Sequence, residues 1–191
     1  MCRQMLKKEL RIKYLAKRHE MSEFEINLKS RSVLDLLSAN FNLSDKIVSL
    51  FLPIKYKNEL NTYLILESAL NQKSIVGIPK TKFKTCEMIH FEFEDVSQIV
   101  LNEYNIPEPI FGNIISEEKF DFVFVPLLTI DKNGNRVGYG KGFYDRFLSK
   151  CKKKCIFIGL YLFDVIEEID DLHEFDLPLH FCITPNQIIK F

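Results

Sequence analysis

Four of the chain's seven glycines fall within the nine residues Gly134-Asn135-Arg136-Val137-Gly138-Tyr139-Gly140-Lys141-Gly142, and Phe143-Tyr144-Asp145-Arg146 follows directly. Glycine admits backbone angles closed to other residues and lets N–H groups approach an anion closely, while a helix starting after such a loop adds its positive end. Arg136 and Lys141 contribute full charges, so the combination suits phosphate. It is not a Walker A loop: five residues rather than four separate Gly134 from Gly140, and Lys141 is followed by Gly instead of Ser or Thr. A dinucleotide fingerprint would require a third glycine where Phe143 stands. The competing reading is a turn that merely joins a strand to a helix. Arg136, Lys141 and Asp145 in the same short segment weigh against it.

Such a loop has to be held by a framework, and hydrophobic spacing supplies one. Met1 to Asn40 contains no Gly or Pro, and Leu6, Leu10, Ile26, Val33, Leu34 and Leu37 recur at helical intervals, which predicts two helices. The break falls at Met21-Ser22, where Ser22 and Glu25 form a capping box. Lys46–Pro53 reads as a buried strand, Glu59–Gln72 as a helix and Ser74–Pro79 as a second buried strand, together a β-α-β unit. Cys86–Glu94 alternates, Met88, His90, Glu92 and Glu94 against Ile89, Phe91 and Phe93, as expected of a strand with one wet face. Asn102–Asn113, with two prolines and no period, is expected to be loop. The apolar run Asp121–Pro126 suggests a central parallel strand covered on both faces. Gly142–Cys151 is expected to be a helix, Cys155–Leu162 a further buried strand, and the last twelve residues short strand pieces. Strands alternating with helices predict a three-layer α/β/α fold, Rossmann-like, with a mostly parallel central sheet and ligands at the carboxyl ends of its strands. Residues 1–191 are read as a single domain.

Composition narrows the function classes. A chain of 191 residues with 47% hydrophobic residues can bury a core without disulfides or structural metal. With 26 Lys and Arg against 26 Asp and Glu, the field of the whole chain does not favour nucleic acid or an anionic membrane. The balance is only global. Residues 1–20 carry seven basic side chains (Arg3, Lys7, Lys8, Arg11, Lys13, Lys17 and Arg18) against Glu9 and Glu20, and residues 164–176 carry seven acids with no Lys or Arg. Cys2, Cys86, Cys151, Cys155 and Cys182 are odd in number and scattered, consistent with free thiols in a reducing compartment. No stretch approaches a membrane span and the start is charged where a signal peptide needs apolar residues, so a cytoplasmic location is expected.

The segment Pro126 to Asp145 (PLLTIDKNGNRVGYGKGFYD) resembles the signature of the 5-formyltetrahydrofolate cyclo-ligase family, also called 5,10-methenyltetrahydrofolate synthetase: GNR, a G-x-G-x-G loop and a closing aromatic-Tyr-Asp stand in the family's order and spacing. The likeness extends along nearly the whole chain. Lys7-Lys8-Glu9-Leu10-Arg11 is similar to the family's N-terminal K-x-x-x-R, Glu59-Leu60-Asn61-Thr62 to its E-x-D-T, Glu108-Pro109 to its EP, and Asp176-Leu177-Pro178-Leu179 to its terminal aspartate element. The resemblance implies the fold of the NagB/RpiA/CoA-transferase-like arrangement and an ATP- and magnesium-dependent closure of 5-formyltetrahydrofolate to 5,10-methenyltetrahydrofolate, releasing ADP and phosphate. The formyl oxygen would be phosphorylated and N10 would attack the activated carbon. The partner would be this small molecule, with or without a polyglutamate tail, rather than nucleic acid or membrane, and the chain a monomer or weak homodimer.

Carried over by residue, the resemblance assigns ATP phosphates to Lys7, Lys8, Arg11 and Arg136. Lys7 and Arg11, four apart, would share one helical face. Gly138, Tyr139, Gly140, Lys141, Gly142, Phe143 and Tyr144 would complete the nucleotide cradle, with Tyr139 to Phe143 also lining the formyl-folate side. Lys141 would neutralise charge on the transferred phosphoryl group and Tyr144 would be the second catalytic candidate. Asp145 and Asp176 would hold magnesium, which takes oxygen ligands. The alternatives are an acid in a helix's first turn for Asp145 and a solvated acidic surface for Asp176. Glu59 would meet the polar edge of the pterin, unless it is only an early-turn acid on its own helix, and Leu52 would give apolar contact. Lys13, Lys17 and Arg18 fit a solvated basic face. Asn61 stands where the family has an acid, Ile130 where Phe is usual and Phe143 where many members have Tyr, which leaves Tyr144 as the only hydroxyl of its pair. Cys151, Cys155, His173 and His180 lack metal-site spacing and are read as structural or surface residues. A protein of another class, binding nucleotide or folate without turnover, would keep the same loop.

Overall fold

The computed structural model describes residues 5–191; Cys2 and Arg3 lie outside the described residues. Helices α1 (Lys7–His19) and α2 (Glu23–Asn40) open the chain, separated where Ser22 accepts the Glu25 amide and Glu25 returns the bond, the expected capping box. Strand β1 (Ile47–Ser49), helix α3 (Tyr63–Asn71) and strand β2 (Ile75–Lys82) form the β-α-β unit, with Val48 opposite Val76 in parallel register. The helix begins four residues later than its period suggests.

The chain then builds β3 (Glu87–Glu92), β4 (Ile99–Leu101), β5 (Pro107–Pro109), β6 (Ile114–Ile115), β7 (Phe122–Pro126), β8 (Thr129–Ile130) and β9 (Arg136–Val137). It ends with α4 (Phe143–Leu148), β10 (Ile156–Leu160), β11 (Phe181–Ile183) and β12 (Ile188–Lys190). Eight strands make one sheet in the order β12-β11-β10-β7-β1-β2-β3-β6; the five from β11 to β2 are parallel and the rest antiparallel. From β1 the chain first fills one side of the sheet, then returns beside β1 as β7 and fills the other. This reversal is the switch point at which open α/β sheets leave a crevice.

Strand periodicity divides the core into two layers. Phe122 and Phe124 of β7 pack with Val33, Leu37, Ile65 and Leu66 of α2 and α3. Val123 and Val125, pointing the other way, pack with Leu10, Tyr14, Phe147 and Leu148 of α1 and α4. The three-layer expectation therefore holds.

Two local expectations fail. Residues 102–113 are not all loop: β5 pairs with β4 through Val100 opposite Glu108, while Pro107 and Pro109 face Leu101 and Ile99. Ladder bonds from the flanking pairs, Asn102 to Ile106 at 3.0 Å and Ile110 to Gln98 at 2.9 Å, leave the prolines at positions that donate nothing. The second failure is the face of β3 expected to be wet. Met88 and His90 are buried, His90 lying against Phe120 and Phe147 and sharing a 2.8 Å hydrogen bond with Ser49. Helix α4 is also shorter than expected, six residues.

Candidate active site

A cleft of about 770 Å3 opens at the carboxyl ends of β1, β2 and β7, lined there by Leu52, Pro79 and Pro126. Helix α1 and the glycine loop close its sides. The glycine run divides between two tasks. Gly134 belongs to the tight β8–β9 connection, whose Asn133 and Asn135 amides bind Asp131 Oδ1 at 2.8 and 2.9 Å. Gly138 to Gly142 line the cleft. Gly140 has φ +87°, and a Cβ there would lie 3.0 Å from the Arg11 guanidinium carbon, so only glycine lets this backbone and that cation meet.

One end of the cleft is rich in charge. Lys7 and Arg11 share the α1 face that lines it, as their spacing predicts; Lys8, one position on, is exposed and outside the lining. Lys8 is thus not brought to the site, because one residue rotates a helix by roughly 100°. The Lys7 ammonium pairs with Asp176, and the Lys7 amide binds Asp171 at 2.7 Å. Arg11 Nε donates to the Gly138 carbonyl at 2.8 Å. Arg136 binds Asp145 Oδ1 at 2.7 Å and the Leu177 carbonyl at 2.6 Å. Lys141 is exposed, and its ammonium has no partner among the described residues, although Arg146 fixes its backbone carbonyl at 2.6 Å.

Both aspartates read as magnesium ligands lie here, neighbours through Leu177, whose amide reaches Asp145 Oδ1 at 3.3 Å. Asp176 is not on a freely solvated surface. Burial pushes its carboxyl up, but the His173 amide and Lys7 ammonium outweigh that and hold it below the usual carboxylate range. Among the described residues no three His, Cys, Asp or Glu side chains cluster as a metal cage. Magnesium does not need one, since it is commonly held by one or two carboxylates plus waters and substrate phosphates. Asp145 and Asp176 each engage protein partners through a single oxygen, Oδ1 and Oδ2 respectively. The other oxygen of each remains available, so the pair fits that ion.

The other end is aromatic around a buried acid. Glu59 is 5% exposed and precedes α3 rather than sitting in its first turn; it accepts the Ile54 amide at 2.7 Å and the Tyr139 hydroxyl. Arg18 is not part of a solvated face but 2% exposed, its guanidinium 3.9 Å from Glu59 and donating to the Tyr139 hydroxyl at 3.1 Å. Burial and then the Glu59 charge push the Tyr139 phenol far up, and the same two causes act on Tyr144. Both stay protonated, so Tyr144 can donate a hydrogen bond but is not a phenolate base. Lys57 holds its ammonium 3.9 Å from the centre of the Tyr139 ring, and burial lowers its pKa. Phe83 lies tilted against Tyr104, ring centres 4.3 Å apart, and meets Phe143 edge-on at 5.5 Å. Glu108, buried in the lining, ties β5 to β2 by accepting the Thr81 amide at 2.8 Å and hydroxyl, and takes Asn102 Nδ2 at 2.9 Å.

The cleft therefore gathers Lys7, Arg11, Leu52, Glu59, Arg136, Gly138 to Asp145 and Asp176, all expected site residues except Lys8. Sequence reading missed Arg18, Lys57, Phe83 and Tyr104. Arg18 was legible in principle, since Leu10, Tyr14 and Arg18 are spaced along one buried face of α1. The other three depend on how separate loops meet.

Fold and cleft together define a class: a switch-point α/β protein whose ligand site is charged at one end and aromatic at the other. A family profile described as the 5-formyltetrahydrofolate cyclo-ligase family matches residues 3–184, and the chain belongs to that family of enzymes. It is 29% identical over 177 residues to the 5-formyltetrahydrofolate cyclo-ligase of Mycoplasma genitalium, covering 92% of this chain and 97% of that one. The mouse 5-formyltetrahydrofolate cyclo-ligase is 29% identical over 154 residues, 71% of this chain and 75% of that one. The solved 5,10-methenyltetrahydrofolate synthetase of Aquifex aeolicus superposes with a TM-score of 0.81 at 29% identity, covering 97% and 93% of the two chains.

Proposed function

We propose that the chain acts as one domain to close 5-formyltetrahydrofolate to 5,10-methenyltetrahydrofolate at the expense of ATP, with magnesium, releasing ADP and phosphate. The observation that carries this reading is the bipartite cleft: Lys7, Arg11, Arg136 and Lys141 at one end, Glu59 and Tyr139 at the other, joined by the Gly138–Phe143 loop. A formyl oxygen is a poor leaving group. Phosphorylation by the γ-phosphoryl of ATP makes it a good one; N10 then attacks the activated carbon and phosphate leaves.

Such chemistry asks for positioning and charge neutralisation more than for a protein nucleophile. Lys7, Arg11 and Arg136 hold the phosphate chain. Lys141, without a side-chain partner among the described residues, follows the transferred group. Asp145 and Asp176 hold magnesium, which when bound would neutralise phosphate charge. Glu59 and Leu52 orient the folate, and the protonated Tyr144 donates to oxygen near the reacting centre. Incubating the chain with ATP, magnesium and 5-formyltetrahydrofolate should produce the methenyl absorbance, dependent on all three. Nucleotide or folate binding without that product would overturn the reading and leave a non-catalytic binding protein.

A further inference from the structure

Lys57 plays no part in the reading above, yet it lines the cleft. Its backbone closes a tight turn through a 3.0 Å bond from its amide to the Ile54 carbonyl, and its half-buried side chain lies over the Tyr139 ring. The ammonium lies 3.9 Å from that ring centre, and among the described residues it has neither a carboxylate within 4 Å nor a hydrogen-bond acceptor. Three N–H donors therefore line the cleft, steadied only by the Tyr139 ring and, at 5.6 Å, the Tyr56 ring. The neighbouring acid, Glu59, is two residues along and contacts the hydroxyl of the same tyrosine. It already carries Arg18 at 3.9 Å and the Ile54 amide, but a carboxylate keeps further lone pairs.

An acid and a cation side by side against one ring, unpaired with each other, match a ligand edge that shows donors next to an acceptor. The pyrimidine half of a reduced folate has such an edge: the 2-amino and N3–H groups donate, and the adjacent 4-oxo group accepts. A neutral acceptor also suits this place better than the anionic glutamyl tail, which Glu59 would repel. Resting on the cyclo-ligase reading, we infer that Lys57 is a specificity-determining residue that donates to the 4-oxo group of the substrate's pteridine while Glu59 accepts from its N3–H and 2-amino groups.

The test compares 5-formyltetrahydrofolate with its 4-amino-4-deoxy analogue, in which an amino donor replaces the oxo acceptor and N3 loses its hydrogen; the Lys57 share is the part of the preference that changes when Lys57 alone is replaced. Wild-type protein should favour the oxo compound by about 100-fold in Kd, the upper range for a hydrogen bond to a charged group. Lys57→Met should cut that preference by about tenfold or more, the loss of one charged hydrogen bond, with the KM for ATP unchanged. Lys57→Arg, which keeps the charge and donors, should retain most of it. An unchanged oxo-to-amino ratio in Lys57→Met overturns the assignment, as does an equal loss for both compounds. A loss seen with 5-formyltetrahydrofolate but absent with 5-formyltetrahydropteroate, which lacks the glutamate, would move Lys57 to the tail. Failure of wild-type protein to form methenyl product sinks the activity itself; turnover with a Lys57-independent ratio sinks only this inference.

Discussion

The Lys7 ammonium and the Asp176 carboxylate, 169 residues apart in sequence, form an ion pair in the wall of the cleft. The basic start of the chain and its acidic segment near the end thus meet directly. Lys13 and Glu167, at 2.5 Å, repeat the contact further along α1. A double-mutant cycle on Lys7→Met and Asp176→Asn, read by urea denaturation, should give a coupling of about 0.5–3 kcal/mol, as for residues in one ion-pair network. Additive effects would show that the pair contributes nothing to the fold.

Lys141 separates catalysis from stability. Its side chain is exposed and unpartnered among the described residues, so Lys141→Ala should leave the melting temperature within a degree or two. Turnover at saturating ATP and folate should fall by about 100-fold, the scale of losing one charge-stabilising donor. Single-turnover kinetics distinguish this from slower product release.

Asp145 is held by Arg136 through one oxygen and offers the other to the cleft. In Asp145→Asn, the magnesium concentration for half-maximal rate should rise about tenfold, while Arg136 keeps a neutral acceptor. A magnesium titration with an unchanged midpoint would assign Asp145 to holding Arg136 alone.

His90 sets the acid side of the stability profile. Full burial lowers its pKa from 6.5 to about 3, so the unfolded chain takes up a proton between those values that the folded chain does not. This contribution is complete above pH 6.5 and is lost progressively as pH falls toward 3. Denaturation midpoints measured between pH 7 and 4 should fall more steeply for the wild type than for His90→Gln, whose side chain cannot charge.

How much of this was legible beforehand follows from range. The β-α-β unit, the capping box at Ser22 and the split of β7 into two core faces rest on spacings within a few residues, and all were readable. The shared face of Lys7 and Arg11 was readable for the same reason, whereas Lys8, read from a family motif, falls off the helical face that lines the cleft. Residues 102–113 hid a strand because proline signals loop unless its partner strand is known. His90 was placed on the wrong face because β3 is covered by α4, which lies more than fifty residues further on. The positions of Lys57 and Tyr104 in the cleft come from loops that meet only in the folded chain.

Two of the cleft's cations already rest on its aspartates: Lys7 on Asp176 and Arg136 on Asp145. On the proposed reading, a nucleotide and its metal would exchange these partners, with phosphates on the lysine and arginine and the carboxylates turned to the metal, while Arg11 and Lys141, which rest on no carboxylate among the described residues, would meet the net negative charge that remains. Uptake should therefore weaken as ionic strength rises, and polyanions that bring no divalent cation would in addition have to break those pairs with nothing to occupy the freed acids.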